Sequence, residues 1–327
     1  MPAPIRRVDE LGFPLPGSFD DLPDQSSEPS RPKRSWGQFI YRYRWGVLLL
    51  LLPILFGSTL VVGARQFVAH WLLNKAQVHL ERDQLSAALA SADRALFWEP
   101  DTFERWQEFE TRAEIRAEMQ DINGSIDDLN EIIQRLEDPA KARQFSTKLC
   151  EAYAMRGWNF ERLGRHREAV ADATTALNLA PDDPTRALLL NQRAYIRAIA
   201  NIELDQGLQD AVQSLALKPN DSRTLDTRAY VLFRLGKYKE ALKDIDLAIH
   251  QWTAPLAGFH FRANNVTRQE LIVRGFQSRE IREYEEPLAV MLHHRGEIRK
   301  KLGQEAMGDA DIHEAELKGY NPDRGVY

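Results

Sequence analysis

The chain holds a single cysteine, Cys150, among 327 residues. One thiol can neither close an internal disulfide nor supply a multi-cysteine zinc site. The short patterns of familiar chemistry are also missing: there is no glycine-rich phosphate loop, no HExxH, no GxSxG and no CxxC. Positive charge is not in excess either. With 43 Lys and Arg against 48 Asp and Glu the net charge is −5, and a nucleic-acid partner, which needs a concentrated basic face, is not expected. The nearest approach to a metal cluster is His293-His294 with Glu297. Adjacent helical positions point about 100° apart, so only one of these histidines shares a face with the carboxylate, and a packing or surface role is expected. Cys150, beside Glu151 and with no activating neighbour, reads as small buried filler. No metal, cofactor or catalytic residue is expected, and the chain reads as a non-enzyme.

What is present is an apolar fraction of 43% with 28% charged residues, which suits a folded helical protein. Residues 1–35 stand apart, with Pro14, Pro16, Pro23, Pro29 and Pro32 and few large apolar side chains. Such a stretch buries too little surface to offset its ordering entropy and reads as a disordered tail, reaching to about residue 44 with a basic and aromatic end.

From Trp45 to Ala64 there is no charged residue, and Val47–Leu52 is wholly apolar. About 20 residues of helix span roughly 30 Å, the thickness of a bilayer's hydrocarbon core. The expectation is a transmembrane helix over 45–64, with Pro53 tolerated inside it. A buried core helix would need apolar partners all round, which the amphipathic remainder does not offer. A cleaved signal peptide would have Val62-Gly63-Ala64 as its site, but the long polar prefix does not suit an n-region. Arg31, Lys33, Arg34, Arg42 and Arg44 precede the stretch, whereas only Arg65 and Lys75 follow closely. By the positive-inside rule the N-terminus is cytoplasmic and residues 65–327 lie across the membrane, in the periplasm if the cell is bacterial. An organelle anchor with cytosolic repeats is the alternative. Trp36, Phe39, Tyr41, Tyr43 and Trp45 supply an aromatic belt at the entry side.

Beyond residue 65 the sequence repeats itself. Arg156-Gly157-Trp158…Leu163-Gly164…Glu168-Ala169…Ala176-Leu177…Pro181 parallels Arg228-Ala229-Tyr230…Leu235-Gly236…Glu240-Ala241…Ala248-Ile249. Arg193-Ala194-Tyr195…Asp210…Leu217-Lys218-Pro219 keeps the order with one extra residue in its turn, and Arg295-Gly296…Leu302-Gly303…Asp311-Ile312…Ala315 is a farther copy. Lys75-Ala76…Ala88…Ala92…Ala95-Leu96…Pro100 and the weaker Arg112-Ala113…Ser125…Asp128-Leu129…Ile132 complete the set. Each copy has two apolar stripes at helical spacing, parted by Gly or a polar turn, with Pro stopping the second helix in three of them. No such pair covers its own apolar face, so the copies must stack.

This punctuation resembles the tetratricopeptide repeat, whose period is about 34 residues. The resemblance covers roughly 69–322 and implies an all-α fold: a right-handed α-solenoid of about six helix pairs. It also implies a scaffold that takes peptide or protein segments on the concave surface of its first helices. The Lys and Asn arrangement with which some family members clamp a chaperone's C-terminal carboxylate is not evident.

Two slots repeat beyond the generic pattern. Arg112, Arg156, Arg193, Arg228 and Arg295 share one position in five first helices, and Asp128, Asp172, Asp210, Asp244 and Asp311 share one in the matching second helices. A bare guanidinium row would suit an anionic ligand. Opposite charges in every one of the five copies instead favour a ladder of ion pairs, where loss of one partner costs roughly 3–5 kcal/mol if the pair is buried. Two positions after the arginine stand Trp158, Tyr195 and Tyr230, flanked by Glu114 and Glu297. Aromatic residues there are candidate anchors for a partner; packing between neighbouring repeats is the competing role.

Residues 253–288 break the rhythm, as a decayed copy or an inserted element. Thr267 to Glu270 is a candidate capping box for a short helix through Val273, Pro287 suits the first turn of the last opening helix, and Asn265-Val266-Thr267 matches a glycosylation acceptor. The function expected is a membrane-anchored protein-interaction scaffold. A holdase, translocon accessory or assembly factor is the alternative, marked by broad binding to unfolded clients.

Overall fold

A computed structural model describes the backbone of residues 36–99, 105–138, 143–257 and 278–320, and the side chains of 57, 59–99, 105–138, 143–254 and 284–320. Two compact units are distinguished, Met1–Leu60 and Val61–Tyr327. Among the described residues there are twelve helices and no strand. They form six consecutive pairs: α1 (Trp36–Glu81) with α2 (Leu85–Trp98), α3 (Trp106–Glu118) with α4 (Ile122–Leu136), and α5 (Ser146–Arg162) with α6 (His166–Leu179). Then follow α7 (Asp183–Ala200) with α8 (Leu204–Leu217), α9 (Ser222–Arg234) with α10 (Tyr238–Ala257), and α11 (Ser278–Lys301) with α12 (Glu305–Leu317).

The expected tail lies outside the described residues. The expected span 45–64 falls in α1, mostly where side chains lie outside the described set. Among the described residues no helix is long and apolar enough to cross a membrane.

Small residues set the pairing distance in the unit from Val61 onward. The position after each repeated arginine, or after Lys75 in the first pair, is Ala76, Ala113, Gly157, Ala194, Ala229 or Gly296, and each is buried. Facing them on the second helices stand Ala88, Ser125, Ala169, Gly207, Ala241 and Gly308, buried as well. The crossing of α11 and α12 is the tightest. A methyl group on Gly296 would stand 2.7 Å from Ile312 Cγ1 and 2.8 Å from the Gly308 carbonyl oxygen.

The turn within every pair carries a left-handed residue at a fixed offset: Asp83, Gln120, Gly164, Asn201, Gly236 and Gly303, with φ between 54° and 77°, and the α7–α8 turn holds a second, Glu203, at 47°. Entry into the following helices is fixed by aspartates. Asp121 accepts from the Gly124 N–H at 3.1 Å, Asp182 from Thr185 at 2.7 Å and Asp221 from Thr224 at 3.1 Å, each satisfying an otherwise orphaned amide.

The core is a chain of local clusters. One joins Ala76, Leu80, Ala88, Ala92 and Ile115, from α1, α2 and α3. Another spans α2 to α5 around Leu129 and Leu136. Two serve α4 to α7, and the last joins Leu225, Ile245, Met291 and Ala315 across α9 to α12. Each draws only on helices close in sequence, as stacking demands.

The interval 253–288 differs in part from expectation. Helix α10 extends to Ala257 and α11 opens at Ser278, so helix reaches into the interval from both ends. The capping box, the Asn265 acceptor and Val273 lie outside the described residues. Pro287 sits inside α11, not in its first turn. An interior proline costs about 3 kcal/mol. Here the five residues after it, Leu288 to Leu292, are all at most 5% exposed, and that burial outweighs the lost backbone bond.

Candidate functional site

The repeated arginines and aspartates meet in all five copies. Arg112 grips Asp128 through Nε at 3.0 Å and Nη2 at 2.6 Å. The same two-pronged bond recurs for Arg156 with Asp172, Arg193 with Asp210, Arg228 with Asp244 and Arg295 with Asp311, at 2.6 to 3.0 Å. The aspartates are buried, so these are charge-assisted bonds away from water. Burial alone would lower the Arg156 and Arg295 guanidinium groups, but the bonds to Asp172 and Asp311 hold both above the ordinary arginine value.

The third nitrogen ties one pair to the pair before it. Nη1 of Arg112 donates to Asp93 at 2.9 Å, that of Arg156 to Asn130 at 2.7 Å, that of Arg193 to Thr174 at 3.1 Å and that of Arg295 to Asp246 at 3.4 Å. These acceptors share one slot, two residues after the aspartate position. In α8 the slot holds Val212, which offers no acceptor to Arg228.

A second arginine, one turn on, joins the ladder in alternate pairs. Arg116 donates to Asp128 at 2.9 Å and Arg299 to Asp311 at 2.6 Å, and Arg197 donates to Asp210 in the same way. In the other two pairs the place is taken by Phe160 and Leu232. The first pair has Lys75 and Ser91 in the two slots, and Ser91 bonds to its own helix at Ala87. The second arginines and the cross-pair acceptors were missed in the sequence, although an Arg four residues after Arg112, Arg193 and Arg295 was there to be seen.

The aromatic candidates form one row across successive first helices. Trp158 and Tyr195 have ring centres 5.8 Å apart, Tyr195 and Tyr230 are 6.4 Å apart, and Tyr230 stacks on His294 at 4.3 Å. Tyr195 is only 1% exposed, whereas Trp158 and Tyr230 are half-buried and keep part of their surface accessible. Glu114 and Glu297 flank the row in sequence, but the ring that continues it is His294. The His294 Nδ1 atom lies 2.7 Å from Asp226 Oδ1, both buried, and this pair fastens α11 to α9 across 68 residues. His293 stacks on Tyr320 at 4.0 Å, and burial, with the neighbouring His294, lowers its pKa to about 4. The two histidines thus serve packing, and among the described residues no group of three metal-ligating side chains is assembled. Cys150 is buried, with its thiol 3.3 Å from the Ala176 carbonyl oxygen and its pKa pushed up by burial.

On the ladder side a cavity of about 500 Å³ opens between α4, α5 and α6. Asn130, Arg156, Phe160, Arg165, Glu168 and Asp172 line it. Its cations are already engaged, Arg156 as above and Arg165 with Glu168.

Residues 150–183, which carry Arg156, Trp158 and Asp172, match the family model of the tetratricopeptide repeat. The array has the tetratricopeptide-repeat fold. PilW, a widely conserved type IV pilus biogenesis factor, has this fold too: it superposes with a TM-score of 0.53 at 17% identity, over 79% of this chain and 96% of its own. A tetratricopeptide repeat protein from Parabacteroides merdae gives a TM-score of 0.49 at 14% identity, covering 78% and 95% of the two chains. PilF of Pseudomonas aeruginosa gives 0.49 at 13%, covering 80% and 96%. These likenesses are of fold. No curated protein matches the sequence. Within the repeat array, the arginine–aspartate ladder ties helices together, and Trp158 and Tyr230 of the aromatic row are left partly open on the first helices.

Proposed function

We propose that this chain is a membrane-anchored scaffold that binds a protein or peptide segment along the first helices of its repeats. The observation that carries the binding reading is the row Trp158, Tyr195, Tyr230 and His294. It runs through four successive repeats, with the buried Tyr195 stiffening two half-buried neighbours. Rigid aromatic side chains lose little entropy when a partner covers them, which suits them as anchors. No step of chemistry is assigned to the protein.

The anchor is proposed from sequence: the uncharged stretch 45–64, with the basic flank before it on the cytoplasmic side and the repeats beyond the membrane. In an organelle the same anchor would leave the repeats cytosolic. A reporter fused after Tyr327 distinguishes the two placements.

The unit Val61–Tyr327 immobilised on beads should retain one or a few proteins from a detergent extract of the source cells. Trp158→Ala with Tyr230→Ala should release them. Undiminished retention by a double variant with an unchanged circular dichroism spectrum removes the aromatic row from the binding surface. PilW, a type IV pilus biogenesis factor, shares the fold, and an accessory role in assembly is the second reading. Indiscriminate retention of denatured clients would favour a holdase.

A further inference from the structure

Large aromatic side chains are hidden almost everywhere in the described residues, with one exception. Phe67 is 74% exposed, Trp71 55%, Phe97 75% and Trp98 41%, and these are all of the exposed Phe and Trp side chains among the described residues. They come from two elements. Phe67 and Trp71 project from α1 on the side opposite its buried Ala69, Leu72, Ala76 and Leu80, while Phe97 and Trp98 end α2, which packs against that buried face. Arg65 brings them to one level by donating from Nε to the Trp98 carbonyl oxygen at 3.1 Å. At 1.5 Å per residue Phe67 stands about 3 Å and Trp71 about 9 Å beyond Arg65 along the helix. Phe97 and Trp98 meet edge to face at 5.9 Å.

The grouping says what covers them. A helical partner lying along α1 would need apolar groups strung down one face, and beyond Trp71 that face offers only Val78 as an exposed large apolar residue. A flat layer crossing α1 needs them at one height on more than one side, which is the arrangement found. Indole and phenyl rings favour the headgroup level of a bilayer, and that zone is roughly 5–10 Å deep. Arg65 and Lys75, whose Nζ lies 5.5 Å from the Trp71 ring centre, add positive charge for anionic headgroups.

We propose that Phe67, Trp71, Phe97 and Trp98 form an interfacial belt that seats the repeat unit on a lipid surface. The proposal rests on the membrane anchor above, because Phe67 follows the uncharged stretch by three residues. Beyond that reading, it assigns a lipid-facing surface to the end of α2, more than thirty residues further along the chain.

The test uses the full chain with Cys150→Ala, reconstituted in vesicles of phosphatidylcholine and phosphatidylglycerol. A nitroxide is placed in turn at Phe67→Cys, Trp98→Cys, Leu52→Cys and Leu188→Cys, the last being a 59% exposed residue of α7. Collision with oxygen, enriched in lipid, is compared with collision with a water-soluble nickel chelate. The expected result is an oxygen-to-nickel ratio at 67 and 98 severalfold above that at 188, with 52 higher still. Ratios at 67 and 98 equal to that at 188, while 52 reports lipid, overturn the belt and leave the anchor standing. A watery ratio at 52 overturns the anchor and the belt with it.

Discussion

Arg156 and Asp172 are joined by two parallel hydrogen bonds, Nε to Oδ2 at 2.7 Å and Nη2 to Oδ1 at 2.9 Å, across the two helices of one repeat. Removing only the acid strands a cation that has lost most of its water. Asp172→Ala should therefore cost about 3 kcal/mol. The double change Arg156→Met with Asp172→Leu should cost far less, since apolar replacement of a whole buried pair is often close to neutral. Urea midpoints of the unit from Val61 onward measure both; a double variant that loses as much as Asp172→Ala would mean that the stranded cation carries no penalty of its own.

Val212 interrupts the cross-pair bonds. It is 48% exposed, so little core is lost by changing it. Val212→Asp places an acceptor where Asp93, Asn130, Thr174 and Asp246 stand in the other pairs, within reach of Arg228. Stability should rise by a few tenths to about 1 kcal/mol, and the gain should shrink in high salt. A lower midpoint at every salt concentration would count against a bridging role for the slot.

The crossing of α11 and α12 has no room for a side chain at Gly296, where an added methyl meets Ile312 and the Gly308 backbone. Gly296→Ala should cost about 1–3 kcal/mol by overpacking. At Gly236 the outcome has a different origin. A Cβ there touches nothing within 4 Å, but φ is +75°, so Gly236→Ala should cost about 1–2 kcal/mol from backbone strain alone. Gly236→Asn should recover part of that loss.

The buried Glu108 and the half-buried His293 give the array opposite pH dependences. Burial, aided by Glu99, raises Glu108 from 4.5 to about 7. Its folded value lies above its unfolded one, so its contribution is full below pH 4.5 and is lost as pH rises through about 7. Burial lowers His293 from 6.5 to about 4, so its contribution is full above pH 6.5 and is lost as pH falls through about 4. Glu108→Gln should leave the protein near wild-type stability in mild acid and relatively more stable above neutrality. Denaturation midpoints across that range check it; an identical pH profile for the variant would refute the assignment.

Much of this architecture is legible in the chain because its rules are local. Gly164, Gly236 and Gly303 mark turns that need a left-handed residue, and Ala or Gly after each arginine marks a close helix crossing. The arginine and aspartate slots lie 16 or 17 residues apart within one pair, so a fixed offset reveals them. What escapes is of two kinds. Asp83, Gln120 and Asn201 adopt the same left-handed turn without a glycine; Asn and Asp tolerate that conformation but are common elsewhere too, so neither marks the turn as a glycine does. The Asp226–His294 bond spans 68 residues and the interval 253–288, so no periodicity points to it. Pro287 misled for a related reason: proline favours a first turn, but the burial of Leu288 to Leu292 keeps the helix running through it.

The buried residues of each apolar cluster come from three or four consecutive helices, and the partly buried ones packed on them from at most one helix more. Length is therefore a free variable of this molecule. A whole helix pair can be gained or dropped with repair needed only at the two new joints, and heating should melt the array from its weaker end inward and not all at once.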